Sequence, residues 1–252
     1  MALNPREPFL VDVEILHERM RAEDSSYLSN LPAVQAIGRL PLHPKVTFFI
    51  GENGSGKSTL LEAIAVLDGF NAEGGTRNFN FATRASHSDL YKWIRLGRGV
   101  RGKRRSDGFF LRAESFYNVA TEIEKLGLPN YDEYHHQSHG EAFLSLFTDR
   151  LRGDGLYLFD EPEAALSPQR QLAFLAAMHS LIERDAQFVI ATHSPIIMAY
   201  PDAIIYEFSA TGVRQVAYRD TEHFRVTHAF LNRPEQVLKE LFADDDEAGA
   251  EH

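Results

Sequence analysis

Gly51-Glu52-Asn53-Gly54-Ser55-Gly56-Lys57-Ser58-Thr59 places a lysine and two hydroxyl residues directly after a run rich in glycine. Residues of these types at this spacing can cradle phosphate. Glycines let successive backbone N–H groups from Glu52 to Thr59 turn onto phosphate oxygens, Lys57 can reach the β- and γ-phosphates, and the Ser58 hydroxyl can ligate Mg2+. The run follows Val46-Thr47-Phe48-Phe49-Ile50, an apolar stretch of the kind buried in parallel sheets, and precedes Leu60-Leu61-Glu62-Ala63-Ile64-Ala65, which reads as a helix. Strand, glycine-rich loop and helix in that order aim the helix N-terminus, with its partial positive charge, at the same phosphates. The chain is expected to bind a nucleoside triphosphate.

A second apolar run, Leu156-Tyr157-Leu158-Phe159, ends in Asp160-Glu161-Pro162. Open α/β sheets gather ligand-binding residues at the C-terminal ends of their strands. Asp160 is suited there to hold Mg2+ through an intervening water, and Glu161 to orient and deprotonate an attacking water. A third run, Phe188-Val189-Ile190-Ala191-Thr192, delivers His193, whose imidazole could hydrogen-bond a γ-phosphate. In Gln137-Ser138-His139-Gly140-Glu141, Ser138 and Glu141 have the spacing of a helix capping box, while Ser138 and Gly140 together could also present a hydroxyl and an amide to an anion. Read alone, the capping role outweighs the anion site. His135 and His139 have a zinc-compatible spacing on a helix, but no third ligand accompanies them.

The elements that must position these groups can be read around them. Phe9 to Leu16 reads as a first strand, residues 17–44 as irregular, and residues 69–83, rich in Gly and Asn, as a loop. Leu90, Trp93, Ile94 and Leu96 have helical spacing within Ser86 to Leu96. Gly108 to Arg112 reads as a strand and Ser115 to Lys125 as a helix, with a further helix from about His135 to Arg150. Pro168 to Arg184 reads as a long helix with Ser167 as its N-cap. Residues 204–208 and 213–217 form a hairpin around Ala210-Thr211-Gly212, and two helices follow at about 220–230 and 234–242. This is an α/β architecture in one domain over 1–242, with an inserted lobe at 68–150 and an acidic tail at 243–252 expected to be disordered.

Composition narrows the function classes. Acidic residues outnumber basic ones 36 to 26, for a net charge of −10, which argues against indiscriminate coating of nucleic acid. There is no cysteine, hence no disulfide, thiolate metal site or thiol nucleophile. No apolar run approaches the roughly 20 residues of a membrane helix and no signal core is visible, so the expected place is the cytoplasm, without membrane insertion. A cluster of Lys92, Arg95, Arg98, Arg101, Lys103, Arg104, Arg105 and Arg112 reads either as a solvated basic hairpin or as a nucleic-acid contact.

Taken in order, Gly51–Thr59, Ser138-His139-Gly140-Glu141, Asp160-Glu161 and His193 resemble an ATP-binding-cassette ATPase. Ser138 to Glu141 stands where that family carries its Leu-Ser-Gly-Gly-Gln signature, with His139 in place of the first glycine and Glu141 in place of the glutamine. Glu163 to Ser167 occupies the D-loop position, with Ser167 where an aspartate is usual. The glutamate variant is similar to chromosome-maintenance and DNA-repair ATPase heads, and the whole chain to short stand-alone ATPases of this kind.

The resemblance implies a P-loop NTPase head: a mainly parallel central sheet, antiparallel N-terminal strands at its edge and a helical insertion lobe. It implies ATP and Mg2+ as cofactors and a homodimer that buries two ATP molecules, each on one protomer's P-loop and against Ser138 and Gly140 of the other. It also implies a ligand to Mg2+ between P-loop and signature, a glutamine in the family, for which Glu114 is the nearest candidate here; Tyr27 is the corresponding candidate for stacking on adenine. The function to expect is an ATP-hydrolysing switch acting on nucleic acid or a protein partner in repair, chromosome maintenance or defence. The alternatives are the ATPase subunit of a transporter with a separate permease, and a nucleotide-gated binding module with little turnover.

Overall fold

The computed structural model describes residues 7–23, 28, 31–72, 74–75, 88–100, 107–112 and 150–248. Its centre is a six-stranded sheet in the order β5-β6-β7-β3-β8-β9, formed by β3 (Val46–Gly51), β5 (Asp107–Arg112), β6 (Gly155–Asp160), β7 (Gln187–Ala191), β8 (Ile204–Ser209) and β9 (Gly212–Val216). Neighbours from β5 through β8 pair parallel, and β8 with β9 closes the sheet as an antiparallel hairpin.

The apolar runs of β3, β6 and β7 are continuous because both faces of these strands are covered. Alternate residues feed two separate cores. Phe49, Leu158 and Val189 face one core with helix α3 (Lys57–Asp68), whereas Phe48, Ile50, Tyr157, Phe159 and Ile190 face the other with α4 (Pro168–Ile182). Phe159 meets Phe174 of α4 edge-on, with ring centroids 5.8 Å apart. Ser167 does stand at the N-cap of α4 with Pro168 behind it, although its hydroxyl makes no capping bond.

The N-terminal strands are antiparallel, as expected, but they form a sheet of their own rather than an edge of the central one. β1 (Leu10–Ile15) lies between β2 (Arg39–Pro41) and β4 (Ile94–Arg98) and covers the α3 side of the molecule. Residues 17–44 are not irregular: they include α1 (His17–Glu23), the short α2 (Pro32–Ala36) and β2. The helical reading of 86–96 is likewise replaced. Asp89–Trp93 is a single 3-10 segment, whose period of three explains the Leu90–Trp93 spacing, and Ile94 opens β4. At the C-terminus, α5 (Glu222–Asn232) is followed by α6 (Pro234–Ala248), which continues six residues beyond the expected end of helix at 242.

Gln187 joins the two sheets. From the start of β7 its Nε2 donates to the carbonyls of Leu10 (2.7 Å) and His43 (2.9 Å), and its Oε1 accepts from the Leu10 N–H (2.8 Å). Gln187 and Leu10 are both buried. A Gln187→Leu substitution leaves these backbone groups without partners, so a loss of about 3 kcal/mol is expected in urea unfolding at unchanged m-value. A loss below about 0.5 kcal/mol would place the join between the sheets elsewhere.

Candidate nucleotide-binding site

Adjacency of β6, β7 and β3 brings three loops to one edge of the sheet. Asp160 pairs in register with Ala191, and Phe49 does so on the other side of β7, so Gly51, Glu161 and His193 emerge together. Gly51 has φ 133°, and a Cβ there would lie 2.0 Å from the Phe208 carbonyl oxygen, so only glycine lets the loop leave β3 along β8. Gly56, at φ 100°, takes the N-cap position of α3. Leu31, Asn53, Gly54, Gly56 through Thr59, and Glu161 line a cleft of about 200 Å³.

Lys57 is buried beneath this loop, and its Nζ donates to the carbonyls of Gly51 and Glu52, both at 2.8 Å. Burial lowers its pKa, while Glu161, Asp160 and Glu163 act in the opposite sense. The Ser55 hydroxyl is buried and has no hydrogen-bond partner among the described residues. A loop with an orphaned hydroxyl, a buried ammonium and a helix N-terminus is arranged for an anion.

The Ser58 hydroxyl donates to Asp160 Oδ1 at 2.8 Å, joining the glycine-rich loop to the end of β6. Burial pushes the Asp160 carboxyl up to about 6, against the opposing effects of the Ser58 hydrogen bond and Arg112. Hydroxyl and carboxylate oxygens are the hard donors that Mg2+ requires, and a cation would offset the cost of a buried carboxylate, so this pair fits the ion.

Glu161 is left-handed at φ 51° and ψ 53°, a conformation costly for a residue with a Cβ, and it is held there by donation of its N–H to the Ala191 carbonyl (2.9 Å). The turn swings its side chain, 41% exposed, into the cleft and within 3.6 Å of His193 Nε2. Burial and the charge of Lys57 lower the His193 pKa, which favours a neutral ring. The structure therefore brings together Lys57, Ser58, Asp160, Glu161 and His193. Glu114, Ser138 and Gly140 lie outside the described residues, as do Tyr27, His135 and His139.

Three residues adjoin the site without a binding or catalytic role read from the sequence, Glu163 having been placed only at the D-loop position. Glu163 accepts from Thr192 Oγ1 (2.8 Å) and from the His193 N–H (2.5 Å), tying the loop after β6 to the loop after β7. Arg112, at the end of β5, donates to Glu62 (2.7 Å) and stands 3.9 Å from Asp160. His223 contacts His193. Only Glu163 carried a signal, its place one turn after Asp160-Glu161. The basic cluster is not one patch where it is described: Lys92 pairs with Asp89, Arg95 with Glu14, Arg98 with Asp68 and Arg112 with Glu62.

A family profile described as "AAA domain, putative AbiEii toxin, Type IV TA system" matches residues 46–127 and 133–199, more than half of the chain. The chain belongs to this family. Among solved structures, CbiO1 of Clostridium perfringens, part of the ABC transporter complex cbiONQ, is 18% identical, with 93% of this chain and 100% of that chain covered at a TM-score of 0.46. An SMC head bound to the C-winged helix domain of ScpA is 15% identical, with 71% and 92% covered at a TM-score of 0.39. No curated protein matches the AAA-domain chain. Among its described residues no helix is long and apolar enough to cross a membrane.

The elevated Asp160 carboxyl gives a pH signature in the absence of nucleotide and metal. Folding favours the protonated acid, so its contribution is intact below the unfolded value near 3.8 and is lost as pH rises through about 6. Asp160→Asn, neutral at every pH, is expected to gain stability relative to the wild type between pH 4 and 6, reaching about 3 kcal/mol at pH 7. Urea titrations across this range check it; a difference independent of pH would contradict the burial of a charged Asp160.

Proposed function

We propose that the chain hydrolyses ATP with Mg2+ and that two copies close around two ATP molecules as a switch. The observation that carries this reading is the Ser58–Asp160 hydrogen bond with Glu161 and His193 on the same sheet edge. In this reading the amides from Glu52 to Thr59 and the ammonium of Lys57 hold the phosphates, and Lys57 exchanges the Gly51 and Glu52 carbonyls for phosphate oxygens. Ser58 and Asp160 hold Mg2+, with Glu114 as a further ligand. A bound Mg2+ neutralises charge shared between phosphate oxygens. Glu161 accepts a proton from the attacking water, and His193 donates to a terminal phosphate oxygen from its own side of the cleft.

Closure of the dimer follows from the resemblance of Ser138 and Gly140 to a signature turn, which would contact the partner's γ-phosphate. Loss of that phosphate on hydrolysis removes the bridging group and loosens the pair. The partner on which the switch acts is a nucleic acid or a protein, and the expected place is the cytoplasm. Of repair, chromosome maintenance and defence, the family description, which names a toxin of a type IV toxin–antitoxin system, supports defence.

Glu161→Gln separates binding from chemistry. ATP turnover is expected to fall by at least about 100-fold while ATP binding persists. Size-exclusion chromatography of this variant with ATP and Mg2+ should give a dimer, which Ser138→Arg abolishes. Full turnover by Glu161→Gln, or a monomer with ATP, would contradict the reading.

A further inference from the structure

His193 has a neighbour at the strand ends. Its Nδ1 lies 3.2 Å from Nε2 of His223, the second residue of α5. The two backbone segments that carry these rings are fixed to one another. The Tyr218 hydroxyl donates to the Pro195 carbonyl (2.9 Å), and the buried Thr221 donates to the Tyr218 carbonyl (2.8 Å) while capping α5 by accepting from the Phe224 N–H (3.2 Å). A capped helix start docked on the loop after β7 therefore sets where His223 sits.

Two neutral imidazoles at this distance share one hydrogen, and the ring that provides it decides what both present on their far sides. Donation from His193 Nδ1 would turn the His193 Nε2 lone pair toward the Glu161 carboxylate, 3.6 Å away. It would also leave His223 with a buried Nδ1–H, and that atom has no hydrogen-bond partner among the described residues. Donation from His223 Nε2 instead gives His193 an Nε2–H facing the Glu161 carboxylate, and leaves only a lone pair buried on His223. His193 Nε2 is likewise buried without a hydrogen-bond partner among the described residues, so each arrangement leaves one N–H unbonded. Only the second sets that N–H against a carboxylate, whose charge attracts it where it would repel a lone pair, and this favours the second arrangement.

We infer that His223 is a positioning residue: by donating to Nδ1 of His193 it holds that ring in the Nε2–H tautomer, with the N–H aimed at the terminal phosphate of a bound nucleotide. This rests on the ATPase reading above and deepens it, because it makes the start of the C-terminal helix pair part of the apparatus that senses the phosphate. The proton on His193 is thus set by a residue thirty positions away in the chain.

The tautomer is read in nucleotide-free protein by long-range 1H–15N spectra of 15N-labelled histidine, with His193 assigned from a His193→Asn variant. The expected result is an Nε2–H ring in the wild type and a mixed or Nδ1–H ring in His223→Phe. In steady-state kinetics His223→Phe should lower kcat about tenfold, with KM for ATP within about twofold. His223→Gln, whose amide nitrogen can replace Nε2 as donor, should keep kcat within about threefold of the wild type. An Nδ1–H ring at His193 in the wild type, an unchanged tautomer in His223→Phe, or equal losses in the Phe and Gln variants would overturn the inference. If His223→Phe does not fold, the wild-type tautomer and the Gln variant decide it. A wild type without turnover would count against the ATPase reading, and the tautomer would still settle the role of His223.

Discussion

Burial of charge at one sheet edge is the constraint on which this molecule is organised. Lys57 and Asp160 are both buried there, with Glu163 half-buried beside them. A buried charge is tolerated only when hydrogen-bonded or paired. Here the compensation is local: carbonyls of the loop hold Lys57, Ser58 bonds Asp160, and the loop after β7 bonds Glu163. These bonds also join the loop after β3, the loop after β6 and the loop after β7, so the groups that neutralise charge are the groups that shape the cleft. A polyanion with a divalent cation is the ligand whose charges complement this set.

The strain in the site has a related logic. Glu161 could leave β6 in an ordinary extended conformation and point elsewhere. Its left-handed backbone, held by the Ala191 carbonyl and followed by Pro162, instead turns the carboxylate toward His193 and the glycine-rich loop. Strain of this kind persists where the surroundings over-determine it, and β6 and β7 supply that rigidity by being covered on both faces.

The parts of this arrangement that were legible in the sequence share one property: chemistry immediately after a buried strand. Val46–Ile50, Leu156–Phe159 and Phe188–Thr192 announce themselves by apolar character, and the residues that follow them converge because parallel strands share an end. What escaped depends on tertiary pairing. The three residues of β2 carry no periodic signal and become a strand only against β1. Leu90, Trp93 and Ile94 all enter the core, but through a 3-10 turn and a strand that mimic helical spacing over so short a span. The contacts of His223 with His193 and of Arg112 with Glu62 join residues 30 and 50 positions apart, and their meeting follows from how the helices dock.

Ligand-dependent stability tests the charge complementarity most directly. Thermal unfolding is followed for the wild type and for Lys57→Met, each with Mg2+ and increasing ATP. A ligand at 100 times its dissociation constant adds about 2.7 kcal/mol to the folded state, so the wild-type midpoint should rise by several degrees while that of Lys57→Met stays near its ATP-free value. An unresponsive wild type, or an equal rise in both proteins, would contradict a nucleotide held at this edge of the sheet.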